Sequence, residues 1–398
     1  MTFLKRVCAL MLSLCVVALP VGSAPSYPLS SVSEDKTSGL SYKVSGISSS
    51  ARAAVLMDAT DGERRILWES GARQRMGMAS TTKIMTALVA IEAMPLSTPV
   101  TVTEESVGVE GSSVYLAKGE TLSLYQLLTC VLLESANDAA TAVAVAVGGS
   151  VANFAQMMNQ KAESLGLLNT HFSNPHGLDD EEHYTTAEDL ALITAEALDN
   201  DVFRSIVSTY RATVPSPKGE RLLINHNRLL RSYEGCIGVK TGFTKSSGRC
   251  LVSAAERDGI RLIAVTLDDG ADWVDHTAML DAGFSALCSL ELSRGGEIVA
   301  SGENDSPGAL YVDVIGGEQS RVMCRVSDDL RAILPKDHGA VTCRVEMELS
   351  LPAPIYRGDK TGKVTWYCDG VVIGSSDIIC AFCAAKTPKK NFFRDLFG

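Results

Sequence analysis

Residues 76–85 read MGMASTTKIM, with a hydroxyl at Ser80 three residues ahead of an ammonium at Lys83 and an apolar run starting at Ile84. Residues three apart share one face of a helix, so the two side chains point together at its start. The positive end of the helix dipole lies beside Ser80. Desolvation lowers the pKa of Lys83, and a neutral amine can take the serine's proton. A plainer design fits the same residues, with Ser80 as an N-cap and Lys83 reaching solvent along its methylenes. Spacing alone does not choose between them. Ser33 and Lys36 repeat it within SSVSEDKTSG (30–39), where nothing apolar comes next.

Two stretches further along the chain make the choice. LLESANDAAT (132–141) puts Ser135 and Asn137 two residues apart ahead of a second Ala-rich helix, and GVKTGFT (238–244) puts Lys240, Thr241 and Gly242 on a strand. Each element is weak singly. GDKTGKV (358–364) repeats the last of them at Lys360-Thr361-Gly362, expected there as a turn. All three in order, on a helix, a helix-leading turn and a strand, are a much rarer coincidence.

That triple, with GSSVYLAKGE (111–120) and NPHGLD (174–179), resembles the serine beta-lactamase and penicillin-binding protein superfamily. Within it the chain is most similar to the type-5-like, low-molecular-mass D-alanyl-D-alanine carboxypeptidases over residues 50–290. The resemblance implies a serine carboxypeptidase that removes the terminal D-alanine from peptidoglycan stem pentapeptides through an acyl-enzyme on Ser80, and that binds penicillin covalently. It implies Lys83 as general base and Ser135 as proton relay. Asn137 would hold the substrate amide, and Lys240 and Thr241 its terminal carboxylate. Gly242 would leave room for an added strand of substrate, and the backbone N–H groups of Ser80 and Phe243 would form the oxyanion hole. His226 falls where some relatives carry an arginine near the carboxylate. A class A-like beta-lactamase is the alternative, but SNPHGL (173–178) lacks the glutamate that deacylation needs there and Ala136 stands where those enzymes have aspartate. The other is a non-turnover penicillin-binding sensor, which would carry transmembrane helices.

The rest of the chain sets the frame. At 398 residues and 46% hydrophobic composition it can bury a large core, and a net charge of -11 argues against nucleic acid. Residues 1–24 read as an export signal, with Lys5 and Arg6 before an apolar segment and small residues ending at Ala24. Residues 25–50 read as a Ser/Gly/Pro linker and 51–290 as the catalytic domain, an antiparallel sheet covered by helices with a helical subdomain, so an α+β fold. A small all-β domain is expected over 291–378. The last segment, 379–398, puts Phe392, Phe393, Leu396 and Phe397 at helical spacing beside Lys386, Lys389, Lys390 and Arg394, which suits a membrane surface. These readings place the protein at the outer face of the cytoplasmic membrane. Eleven cysteines, less Cys8 and Cys15 in the leader, leave an odd number without the spacing of a zinc site. No metal or other cofactor is expected.

Overall fold

The computed structural model describes residues 42–299 and 310–388. The run AAVLMD forms strand β1 (Ala53–Asp58), which returns through a turn at Asp61–Gly62 as β2 (Arg65–Ser70). One 3-10 turn, Ala79–Thr82, leads directly into α1 (Lys83–Ala93). The paired short strands β3 (Pro99–Thr101) and β4 (Thr121–Ser123) precede α2 (Leu124–Leu133), α3 (Asn137–Gly148), α4 (Val151–Ser164), α5 (Ala187–Leu198) and α6 (Asp201–Val207). A hairpin of β5 (Arg211–Ser216) and β6 (Gly219–Ile224) and the single turn α7 (Leu229–Ser232) come next. Strands β7 (Cys236–Thr244), β8 (Gly248–Arg257) and β9 (Ile260–Leu267) and helix α8 (Asp272–Ala286) complete this part.

The central sheet has the order β2-β1-β9-β8-β7, antiparallel throughout. Both its faces are covered, which is why β1 is apolar at successive positions instead of alternating. Ala53, Val55 and Met57 enter the core shared with the helices, while Ala54 and Leu56 pack with Met279 and Leu280 of α8. Each such large side chain, fully buried, contributes about 1.5–3 kcal/mol. Helices α1 and α3 are buried from Lys83 to Ala90 and from Asn137 to Ala144, and their alanines let neighbouring backbones approach closely. Local signals set the helix ends. A capping box of Ser123 and Gln126 starts α2, and Gly149, in the left-handed region at φ 76°, stops α3. Strand β7 is a sheet edge, so one of its sides has no strand partner among the described residues.

The C-terminal part is all β, as expected. Strands β10 (Leu287–Arg294), β11 (Glu297–Ile298), β12 (Leu310–Ile315), β13 (Arg321–Val326), β14 (Leu330–Pro335), β15 (Val341–Met347), β16 (Ser350–Pro352), β17 (Lys360–Cys368) and β18 (Val371–Cys380) form two sheets. Their orders are β11-β10-β14 and β15-β17-β18-β13-β12-β16, around a core that includes the fully buried Trp366.

Four expectations need correction. Residues 42–50 do not behave as a loose linker: Val44 is buried and donates its N–H to Leu67 O, and Ser50 bonds Asp275 and Asp269. Strand β10 runs across the expected 290/291 boundary and supplies Leu292 to the C-terminal core. Lys360-Thr361-Gly362 is strand, not turn: it opens β17, with the turn just before it, and Lys360 pairs with Asp377 at 2.7 Å. Residues 379 and 380 belong to β18, and Ala384 and Lys386 bridge to Ile355 and Gly317, so the tail segment starts later than drawn. The leader at 1–24, the Ser33–Lys36 repeat and the tail phenylalanines all lie outside the described residues.

Candidate active site

Three elements converge on Ser80. The 3-10 turn presents it part-exposed at the mouth of a cleft of about 330 Å³, whose walls include Ser135, Thr241, Gly242 and Phe243. Two strained backbone positions fall here. Ala79, just before Ser80, and Ser135 are both non-glycine residues in the left-handed region, at φ 47° and 59°.

Lys83 is fully buried behind the serine. Its Nζ lies 2.8 Å from Ser80 Oγ, 2.7 Å from Asn137 Oδ1 and 2.7 Å from the carbonyl oxygen of His176. Asn137 is oriented because its Nδ2 donates to Glu110 O at 2.6 Å, which leaves the carbonyl facing Lys83. An ammonium has three donors, and these partners use all of them. A neutral amine has two N–H groups for Asn137 and His176, and its lone pair is left for the Ser80 hydroxyl. Burial, with the Lys240 charge adding to it and Asp138 opposing, holds the Lys83 pKa well below its ordinary value.

Lys240 is the other buried ammonium, 1% exposed, its Nζ donating to Thr241 O at 3.0 Å. Burial lowers its pKa to about 7, against an opposing pull from Glu134. Thr241 and the exposed Phe243 come next on the edge strand. Gly242 has a reason that sequence did not supply. A Cβ there would lie 3.0 Å from Ser80 N and 3.1 Å from Met78 O, so the missing side chain admits the backbone of the serine turn.

Of the eight residues singled out from sequence, Ser80, Ser135, Thr241, Gly242 and Phe243 line one cleft, and Lys83, Asn137 and Lys240 are buried behind its walls. Sequence reasoning missed what carries no side-chain signature. The His176 carbonyl completes the Lys83 cage. Its loop is tied down by His183, whose Nδ1 accepts from Ser173 N–H, so Nε2 carries the hydrogen and meets Thr82 Oγ1 at 2.7 Å. Burial keeps both rings neutral, His176 near pKa 3 and His183 near 4. His226 does line the cleft, 3.4 Å from Glu134, and so do Arg228, over the Trp273 ring, and Arg249, paired to Asp272 at 2.8 Å. The acids at the end of NPHGLD and just after it, Asp179, Asp180, Glu181 and Glu182, are exposed and line no wall of the cleft. Among the described residues no cluster of His, Cys, Asp and Glu is suited to a metal ion.

Comparison with known proteins places the chain in a family. The D-alanyl-D-alanine carboxypeptidase family profile matches residues 41–271, and that of the penicillin-binding protein 5 C-terminal domain matches 302–382. D-alanyl-D-alanine carboxypeptidase DacF of Bacillus subtilis is 31% identical, covering 88% of each chain, and DacC of Escherichia coli is 36% identical, covering 83% of each. Penicillin binding protein 5 from Haemophilus influenzae superposes with a TM-score of 0.64 at 28% identity, over 86% of this chain and all of that one. The chain belongs to the D-alanyl-D-alanine carboxypeptidase family.

Proposed function

We propose that this serine-type carboxypeptidase releases the terminal D-alanine of peptidoglycan stem peptides through an acyl-enzyme on Ser80. The observation that carries the reading is the Lys83 cage: two fixed acceptors engage its N–H groups and leave its lone pair for Ser80 Oγ at 2.8 Å. Lys83 takes the hydroxyl proton as Oγ attacks the carbonyl of the penultimate D-alanine. The N–H groups of Ser80 and Phe243 receive the oxyanion. Ser135 returns the proton to the leaving amine, D-alanine departs, and water releases the shortened peptide. Asn137 holds the peptide amide while Lys240 and Thr241 hold the terminal carboxylate. Substrate adds as a strand to the free edge of β7. A β-lactam acylates the same serine, but its leaving nitrogen stays tethered by the ring and the adduct persists.

The setting is the cell wall. Residues 1–24 direct export, and residues 389–398 hold the enzyme at the outer face of the cytoplasmic membrane, with the all-β domain as a stalk. Support for this reading is the aromatic and basic pattern of the tail.

The test is D-alanine release from a peptide ending in D-Ala-D-Ala, measured beside steady-state penicillin hydrolysis. The reading predicts peptide turnover with slow release of penicillin. Rapid penicillin hydrolysis with little peptide turnover would make the protein a beta-lactamase instead, and acylation without turnover of either would make it a sensor.

A further inference from the structure

Cys324 on β13 and Cys380 on β18 are register partners on adjacent antiparallel strands. The ladder bonds fall on their neighbours: Ala381 N–H donates to Met323 O, and Ser327 N–H donates to Asp377 O. The cysteines therefore occupy a non-hydrogen-bonded position, where facing Cα atoms stand about 4.5 Å apart, within the span of a disulfide. Both side chains are buried, 5% and 0% exposed, and Cys324 Sγ donates to the carbonyl oxygen of Val322 at 3.7 Å, within its own strand. Among the described residues no other two cysteines face one another across a ladder. Cys343 faces Trp366, Cys368 faces Val341, Cys288 faces Leu334, Cys236 faces Ala255 and Cys250 faces Gly242.

We propose that Cys324 and Cys380 are a disulfide-forming pair that locks the last strand of the C-terminal sheet, β18, onto β13. Two thiols give up two protons and two electrons to the disulfide of an oxidant, an oxidoreductase or oxidised glutathione. The oxidant leaves as two thiols while one S–S bond forms. Burial pushes the Cys324 thiol up to about 12, so thiolate is scarce once the sheet has closed. The bond therefore forms during folding, before β18 seals the core, and is afterwards shielded from reductants. It encloses the chain from β14 to β18, and a cross-link over a loop of that length raises the Tm of a small domain by roughly 10 °C or more.

The test is refolding of the purified protein with oxidised glutathione, then denaturation, alkylation without reduction, and peptide mapping by mass spectrometry. One linked peptide pair carrying Cys324 and Cys380 is expected, absent in Cys324→Ser and retained in Cys383→Ser. The oxidised protein should lose roughly 10 °C or more of Tm on reduction, and Cys324→Ser should lose none. Full alkylation of both cysteines without reduction, or linkage of Cys380 to Cys383 or Cys368, overturns the proposal. The wild-type map decides this by itself if the serine variant fails to fold.

Discussion

Burial of an ammonium serves two opposite purposes in this cleft. On the proposed mechanism it holds the Lys83 pKa down so that the amine can act as a base, and at Lys240, with a pKa of about 7, it leaves a charge that is only part-retained at neutral pH. The consequence for rate has a definite sign. Acylation needs Lys83 neutral, so it gains as pH rises through the depressed pKa of that residue. Capture of the substrate carboxylate needs Lys240 charged, so kcat/KM falls as pH rises through about 7. A bound carboxylate raises the Lys240 pKa, and kcat should lack that limb. Lys240→Arg, which stays charged, should move the alkaline limb of kcat/KM upward by more than one pH unit. An unmoved limb in that variant would mean that another group titrates there. The side chains of this chemistry were legible in sequence because spacing on a helix or strand is a local code: Ser80 with Lys83, Ser135 with Asn137, Lys240 with Thr241. The His176 carbonyl was not, because a backbone oxygen has no residue signature and reaches Lys83 only through the fold of a distant loop.

At the scale of elements, the site depends on close approaches of backbone to backbone. Gly177, at φ +85°, lies so near the serine turn that a Cβ would sit 1.9 Å from Ala79 O, and Gly242 presses on Ser80 N from the other side. Gly242→Ala should slow acylation roughly 10–100-fold while costing only about 1–3 kcal/mol of stability, because a shift of even 1 Å spoils attack geometry. Stopped-flow acylation by a chromogenic penicillin, beside a denaturant melt, measures both. A loss of stability with acylation intact would contradict the role given to that contact. Asp138 acts on another element. Fully buried, it accepts from Ser113 Oγ and from the N–H groups of Val114 and Leu116, which fixes the rim loop against α3. Asp138→Ala leaves those donors unpaired and should cost about 1–3 kcal/mol, read as a lowered midpoint in urea. The apolar runs and turn residues made most elements readable, from the β1–β2 hairpin to α8. Lys360-Thr361-Gly362 misled because Gly beside Lys and Asp has turn composition, while the pairing of β17 between β15 and β18 overrides it.

For the whole molecule, the catalytic cleft and the tail should work independently. Removing residues 389–398 should abolish sedimentation with anionic vesicles and leave D-alanine release in solution unchanged. Binding by the intact protein should weaken as salt rises, since part of the attraction is between the tail's basic residues and lipid headgroups. Equal sedimentation of both forms would remove the membrane from the account. The domain order was legible as a change from long apolar helices to short strands broken by Gly and Pro. The docking of residues 42–50 on the body was not, because Ser-rich sequence looks unstructured until Asp269 and Asp275 supply the hydrogen-bond acceptors. The central claim is that one serine carries the chemistry, and intact-mass and peptide analysis after reaction with penicillin tests it most directly. The wild type should gain one penicilloyl group, carried by Ser80, and Ser80→Ala, shown by its melt to be folded, should gain none. An adduct that persists in Ser80→Ala, or one that maps to Ser33, would contradict it.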